Sequence, residues 1–153
     1  MYGQEINGID CGEEVNQWFI KFLGKESVRL VQYHESFKKR DTNSDKRRTD
    51  DNKFPILYQN KSGLHLVNES SLQDLNRNFP EEADGVIYEN FRPNLLVDYP
   101  KPWDEDMWQY MAINGVLFLR LLRCDRCPST QVNPNTGFAG QPTLATLKKY
   151  IIL

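Results

Sequence analysis

Val15, Trp18, Phe19, Phe22 and Leu23 recur at helical intervals, the spacing that lines one face of an α-helix. Asp10-Cys11-Gly12-Glu13 precedes them as a capping box, with Asp10 accepting from the backbone and Glu13 reaching back. Gly24 then supplies the C-terminal stop. Val28 to Tyr33 predicts a strand. From Lys38 to Lys53 no apolar residue occurs, and Lys38, Lys39, Arg40, Lys46, Arg47 and Arg48 are interleaved with four aspartates. That composition describes a solvated, mobile polar loop, residues 38–53. A phosphate-binding or nuclear-localisation patch is the weaker reading, because the aspartates dilute the field.

Leu64-His65-Leu66-Val67 predicts a short strand in which His65 alternates with its leucine neighbours and faces solvent. Asn68 is placed to cap a helix carrying Leu72 and Leu75. Pro93 keeps Arg92 out of the helical region and opens a strand over Leu95-Leu96-Val97. Trp103 to Tyr110 predicts one short helix. Ile113-Asn114-Gly115-Val116 predicts a hairpin, since Asn-Gly suits the type I′ turn. Val116 to Arg123 is mostly apolar, as a strand buried on both faces would be. Asn133 to Gly137 is a further turn, and Leu144 to Tyr150 a weak last element. The sum is an α+β domain, rich in β-structure, with two or three peripheral helices.

A chain of 153 residues is one domain by length. With 39% hydrophobic and 12% aromatic residues it has the material for a core. A formal net charge of -2 gives no general pull toward nucleic acid or a membrane surface. Three cysteines are too few for a disulfide scaffold, which favours a reducing, intracellular compartment. No run approaches the ~18 apolar residues of a membrane span, and the polar start is not that of a signal peptide.

The chemistry concentrates at Cys124-Asp125-Arg126-Cys127, after the apolar run and before a polar turn, with Arg120, Arg123 and Arg126 around it. Nearby cations would lower a thiol pKa there. A Cys-x-x-Cys pair alone admits three functional readings. Structural zinc needs four ligands, and Cys11, His34 and His65 do not supply a second pair. A thioredoxin-type pair needs a helix N-terminus, which Pro128 and the turn beyond it disfavour. The third reading is a single thiolate for a soft transition metal. On spacing alone, two strand-end cysteines without a function outweigh all three. Arg92, fixed beside Pro93, could meet phosphate or carboxylate in a fork, though a surface ion pair is the simpler reading. The chain contains no Gly-rich phosphate loop, no Gly-x-Ser-x-Gly elbow and no His-Glu-x-x-His.

Taken in order, several segments together resemble a MOSC domain: Cys11-Gly12-Glu13, Trp18-Phe19, Arg29-Leu30-Val31, Asn90-Phe91-Arg92-Pro93-Asn94, Trp103 to Trp108, Arg126-Cys127 and Asn133-x-x-Thr136-Gly137. With the ending Gln141 to Tyr150, the chain is similar in particular to the mitochondrial amidoxime-reducing component family. The resemblance runs from about Cys11 to Tyr150. It implies a barrel-like α+β fold that binds the molybdenum cofactor, molybdenum held by molybdopterin. It implies that Cys127 is the metal ligand and catalytic thiolate, beside the two dithiolene sulfurs of the pterin. Arg92, Asp125, Arg126 and Ser62 become cofactor contacts, and Cys124 is not a ligand.

The implied reaction is reduction of N-hydroxylated compounds, with electrons from cytochrome b5 and its reductase, at the mitochondrial outer membrane. The anchor would lie outside this chain. Two departures accompany the resemblance. Family members carry an N-terminal β-domain and further closing strands after the Leu-Lys-x-Tyr segment, so residues 1–153 read as a partial MOSC domain, incomplete at its C-terminus. A truncated, non-catalytic MOSC module and the MOSC domain of a molybdenum cofactor sulfurase are the alternatives. The sulfurase would add an upstream pyridoxal-phosphate domain.

Overall fold

The structure is a computed structural model that describes residues 5–41, 54–59 and 61–150. Residues 42–53 of the polar loop lie outside the described residues. The chain divides into two compact units, the first comprising described residues 5–41, 54–59 and 61–62 and the second residues 63–150.

In the first unit, strand β1 (Ile9–Asp10) pairs antiparallel with β2 (Val31–Gln32), and helix α1 (Glu13–Leu23) runs between them. Gly8 is required beside this pair, since a Cβ there would lie 2.8 Å from the Val31 Cβ. Gly24 ends α1 in the left-handed region, as its sequence position predicts. The start of α1 differs from expectation. Gly12 is the N-cap, and Asp10 accepts from the Gly12 N–H at 2.8 Å, from Asn16 Nδ2 at 3.0 Å and from Arg29 Nε at 2.5 Å. These donors hold the Asp10 carboxyl well below the usual carboxylate range, Arg29 contributing most. Glu13 does not reach back, because Gln17 Nε2 and Arg29 Nη1 occupy its oxygens. The capping box is therefore replaced by a charged knot that ties β1, α1 and Arg29 together.

Strand β3 (Arg40–Asp41) pairs antiparallel with β4 (Pro55–Ile56). Arg40, expected in a solvated loop, is buried, and its guanidinium donates to the carbonyls of Leu57 and Gln59.

The second unit is built on strand β5 (Leu66–Asn68), which pairs in parallel with β6 (Leu95–Val97). Helix α2 (Glu69–Arg77) begins their crossover, as a parallel pair requires. Asn68 caps α2 by accepting from the Ser70 N–H at 3.3 Å, as predicted. Fully buried, it also bonds Lys101 O, Glu105 Oε2 and the Tyr99 N–H. The apolar core beneath consists of Val67, Leu75, Val86, Phe91 and Leu147, with Leu72, Phe79 and Trp103 against it. Leu147 comes from the short helix α3 (Thr143–Leu147). Trp103 stacks on Tyr150 at 4.6 Å and donates to Asp74.

The hairpin of β7 (Tyr110–Ile113) and β8 (Val116–Leu119) forms as predicted. Its turn residues Asn114 and Gly115 both have positive φ, 48° and 80°. The segment from Val116 is not buried on both faces: Val116 is 57% and Leu117 67% exposed. The strand ends at Leu119, opposite Tyr110 where its partner β7 begins, and the Arg120 N–H bonds the Gln109 carbonyl beyond it. The Arg120 side chain turns back onto the Asp106 carbonyl. Where one short helix was expected over 103–110, a single 3-10 turn spans Asp104–Met107.

Among the described residues, helical residues make up 27% and strand residues 18%, so the α+β class stands while strands are the smaller share. Among the described residues the strands form four separate pairs and no closed barrel. No helix among them is long and apolar enough to cross a membrane.

Candidate functional site

Two stretches of the second unit carry most of the residues singled out in the sequence. The first is Asn90-Phe91-Arg92-Pro93-Asn94, placed by the parallel register of β5 and β6. The His65 N–H donates to Asn94 Oδ1 at 2.9 Å, and the His65 carbonyl accepts from the N–H groups of Asn94 and Leu95 at 2.8 and 3.0 Å. Arg92 follows a 3-10 turn, Tyr88–Asn90, and its own N–H bonds back to the carbonyls of Tyr88 and Glu89. Its φ is 53°, a left-handed conformation uncommon for a residue with a Cβ. Pro93 excludes the right-handed helical alternative, and the guanidinium is exposed. The surface ion pair expected of Arg92 is not formed, since among the described residues no carboxylate meets it.

The second stretch is Cys124 to Gln131. Cys127 is the N-cap of the 3-10 turn Pro128–Gln131, and its thiol is exposed. Its Sγ lies 2.7 Å from Ser129 Oγ. That hydroxyl, followed by the backbone N–H of Ser129, pulls the Cys127 thiol below its ordinary pKa. The flanking arginines expected to do this point elsewhere. Arg120 and Arg123 both donate to the Asp106 carbonyl. Arg126 Nη1 meets His65 Nε2 at 2.8 Å, and its Cζ lies 5.0 Å from the Phe91 ring centroid. Cys124 is exposed, with its Sγ turned to the Asp125 carbonyl at 3.5 Å.

A buried polar network joins the two stretches. Asn90 Oδ1 accepts from the Ile87 N–H at 2.9 Å. Asn90 Nδ2 meets the carbonyls of Thr130 and Val132 at 3.3 and 2.8 Å and Gln141 Oε1 at 3.0 Å. Gln141 donates onward to the Gly85 carbonyl. Thr130 closes the loop on Cys127, its N–H and Oγ1 both donating to the Cys127 carbonyl at 3.1 and 2.9 Å. Thr143 Oγ1 adds a bond to the Thr130 carbonyl. Buried groups of this kind are costly unless paired, so the network fixes where the Arg92 turn and the Cys127 turn stand.

The structure thus brings Arg126 beside the Phe91-Arg92 turn through His65, with Cys127 next in the chain. Asp125 is exposed at the lip of the same loop. Ser62 belongs to the first unit. His65 corrects its own prediction: it is half-buried, because Arg126 and the Phe91-Arg92 turn cover the face that alternation assigned to solvent. His65, Asn90, Ser129, Thr130 and Gln141 were not singled out as site residues. An Asn followed at once by the Phe-Arg-Pro-Asn run was the one signal that could have marked Asn90.

Among the described residues no three of His, Cys, Asp or Glu gather as metal ligands. The donor set instead offers one soft sulfur with thiolate character and two arginine guanidinium groups. That set fits a metal arriving with its own sulfur donors and an anionic tail.

Residues 53–152 match the MOSC domain family. Mitochondrial amidoxime reducing component 2 of Bos taurus is 36% identical over 151 residues, covering 98% of this chain and 44% of the relative. The Homo sapiens component 2 is 37% identical over 152 residues, and Homo sapiens component 1 is 34% identical over 153. The chain spans less than half the length of these curated relatives.

Proposed function

Because the chain belongs to the MOSC domain family, we propose that it binds the molybdenum cofactor and acts as a reductase of N-hydroxylated compounds. The observation that carries this reading is Cys127, an exposed thiol held toward thiolate by Ser129 and locked by buried hydrogen bonds to the Arg92 turn. A thiolate is a soft donor suited to a metal that already carries sulfur ligands, and a hard hydroxyl is a poor substitute for it. Bound there, the cofactor would supply two-electron redox chemistry.

This chain's own residues hold and orient it. Cys127 is the metal thiolate. Arg92 and Arg126 meet the phosphate of molybdopterin through their planar N–H forks, which suit phosphate bidentately. Asp125 and Ser62 complete the contacts. Cys124, its sulfur turned to a backbone carbonyl, is not a ligand. No general acid is assigned. We read the chain as a MOSC domain in sequence, with its family match over residues 53–152.

The relatives are named mitochondrial amidoxime-reducing components. On that similarity the substrates are amidoximes and related N-hydroxylated molecules, the electrons come from cytochrome b5 and its reductase, and the site of action is the mitochondrial outer membrane. The test is reduction of a simple amidoxime by chain produced in a host that makes the cofactor, with cytochrome b5, its reductase and NADH supplied. Turnover that disappears when the host cannot make the cofactor is expected. Chain that carries molybdenum yet reduces nothing would leave a cofactor-binding module and reject the reductase assignment.

A further inference from the structure

His65 is absent from every role assigned so far, yet it is the contact through which Arg126 is held. Its Nε2 stands 2.8 Å from Arg126 Nη1. A guanidinium is always protonated and can only donate, so Nε2 must accept, and the ring must be neutral with its proton on Nδ1. The backbone of Phe91 and Arg92, the turn that carries the other arginine proposed to meet the cofactor, pulls the ring's pKa the opposite way to burial. Its own backbone is clamped at three points by Asn94 and Leu95. Arg126 is meanwhile confined over the Phe91 ring at 5.0 Å.

We propose that His65 is a positioning residue: in its neutral, Nδ1-protonated form it staples Arg126 to the Phe91-Arg92 turn, holding a pair of arginines ready for one phosphate group. This rests on the reading of Arg92 and Arg126 as contacts of the cofactor's phosphate. The remaining N–H groups of Arg126 stay available to that anion. A protonated ring would present a donor to a donor and a cation to a cation, and the staple would open. The environment favours the neutral ring: burial first, and then the Arg126 charge, push the His65 pKa below its ordinary value, against the opposing pull of the Phe91 and Arg92 backbone. Among the described residues Arg126 is the charged group that acts on the ring, and from the Phe91-Arg92 turn only backbone groups do so.

Nitrogen-15 NMR of the full chain without cofactor tests this. The two histidines of the sequence are told apart with His34→Asn. The expected result is a His65 ring protonated on Nδ1 at neutral pH, titrating below the ordinary histidine value. The Arg126 side-chain protons should be shifted upfield by the Phe91 ring, and the shift should vanish as His65 protonates. His65→Leu should abolish that shift, and His65→Gln, which restores an acceptor near Nε2, should keep most of it. In chain made with cofactor, pterin affinity should fall about tenfold in His65→Leu and hold in His65→Gln. An Nε2-protonated ring, or an Arg126 shift unchanged in His65→Leu, would overturn the proposal. The tautomer is measured on unaltered protein without cofactor. A failure there leaves the molybdenum reading standing, and chain that never acquires molybdenum leaves the tautomer result standing.

Discussion

The contact between Cys127 Sγ and Ser129 Oγ, 2.7 Å long, sets the protonation of the one sulfur on which the proposed chemistry depends. When the thiol ionises, the serine hydroxyl donates to the thiolate and lowers its free energy, so the Cys127 pKa falls. Removing the hydroxyl should raise it again. Ser129→Ala is therefore expected to move the pH profile of Cys127 alkylation by iodoacetamide, in chain without metal, toward higher pH. The rate at neutral pH should fall several-fold while Cys124 is unaffected, which peptide mass spectrometry resolves. An unchanged Cys127 profile would mean that the hydroxyl plays no part.

At this scale the sequence made Cys127 legible and His65 illegible for the same reason. The thiol's chemistry is its own, whereas the exposure of His65 depends on Arg126, which lies far along the chain. The arginines around Cys127 were expected to tune it, but each is engaged by a distant partner. Residue counts near a motif cannot show that.

Elements defined by local signals were readable. Helix α1 with its Gly24 stop, the Asn68 cap and the Asn114-Gly115 hairpin each depend on a few adjacent residues and on φ/ψ preferences. The start of α1 escaped because distant donors engage the Asp10 carboxylate, Arg29 at Oδ2 and Asn16 at Oδ1 beside the Gly12 N–H. The apolar run from Val116 escaped because periodicity describes a side chain's character, not what covers it.

The element-level device that matters for the site is Asn90, whose amide nitrogen has two N–H bonds to share among three acceptors. Asn90→Ala removes the partner that the Ile87 N–H, the Val132 carbonyl and Gln141 Oε1 share, while the Thr130 carbonyl keeps Thr143 Oγ1. We expect a loss of about 2–3 kcal/mol of stability, read as a lower urea midpoint at unchanged slope. Asn90→Asp keeps the acceptor for Ile87 but turns an anion toward those carbonyls, and should fare no better. A loss below ~0.5 kcal/mol, the size of an ordinary surface substitution, would show that the network does not fix the two turns.

For the whole molecule, family membership was legible because the MOSC signature is an ordered set of segments spread along the chain, and residues 53–152 carry the match. The barrel that the resemblance implied is not seen among the described residues, whose strands pair only two by two. Long-range pairing leaves little trace in local patterns. What unites the molecule chemically is the claim that a single sulfur, Cys127, holds molybdenum while arginines hold the anionic remainder of the cofactor. The direct measurement is the molybdenum and pterin content of the chain and of two variants, all purified from a host that makes the cofactor. The unaltered chain and Cys124→Ser should contain molybdenum and pterin in matching amounts, and Cys127→Ser should lose the metal. Equal loss from both variants, or folded unaltered chain free of molybdenum and pterin, would contradict the account.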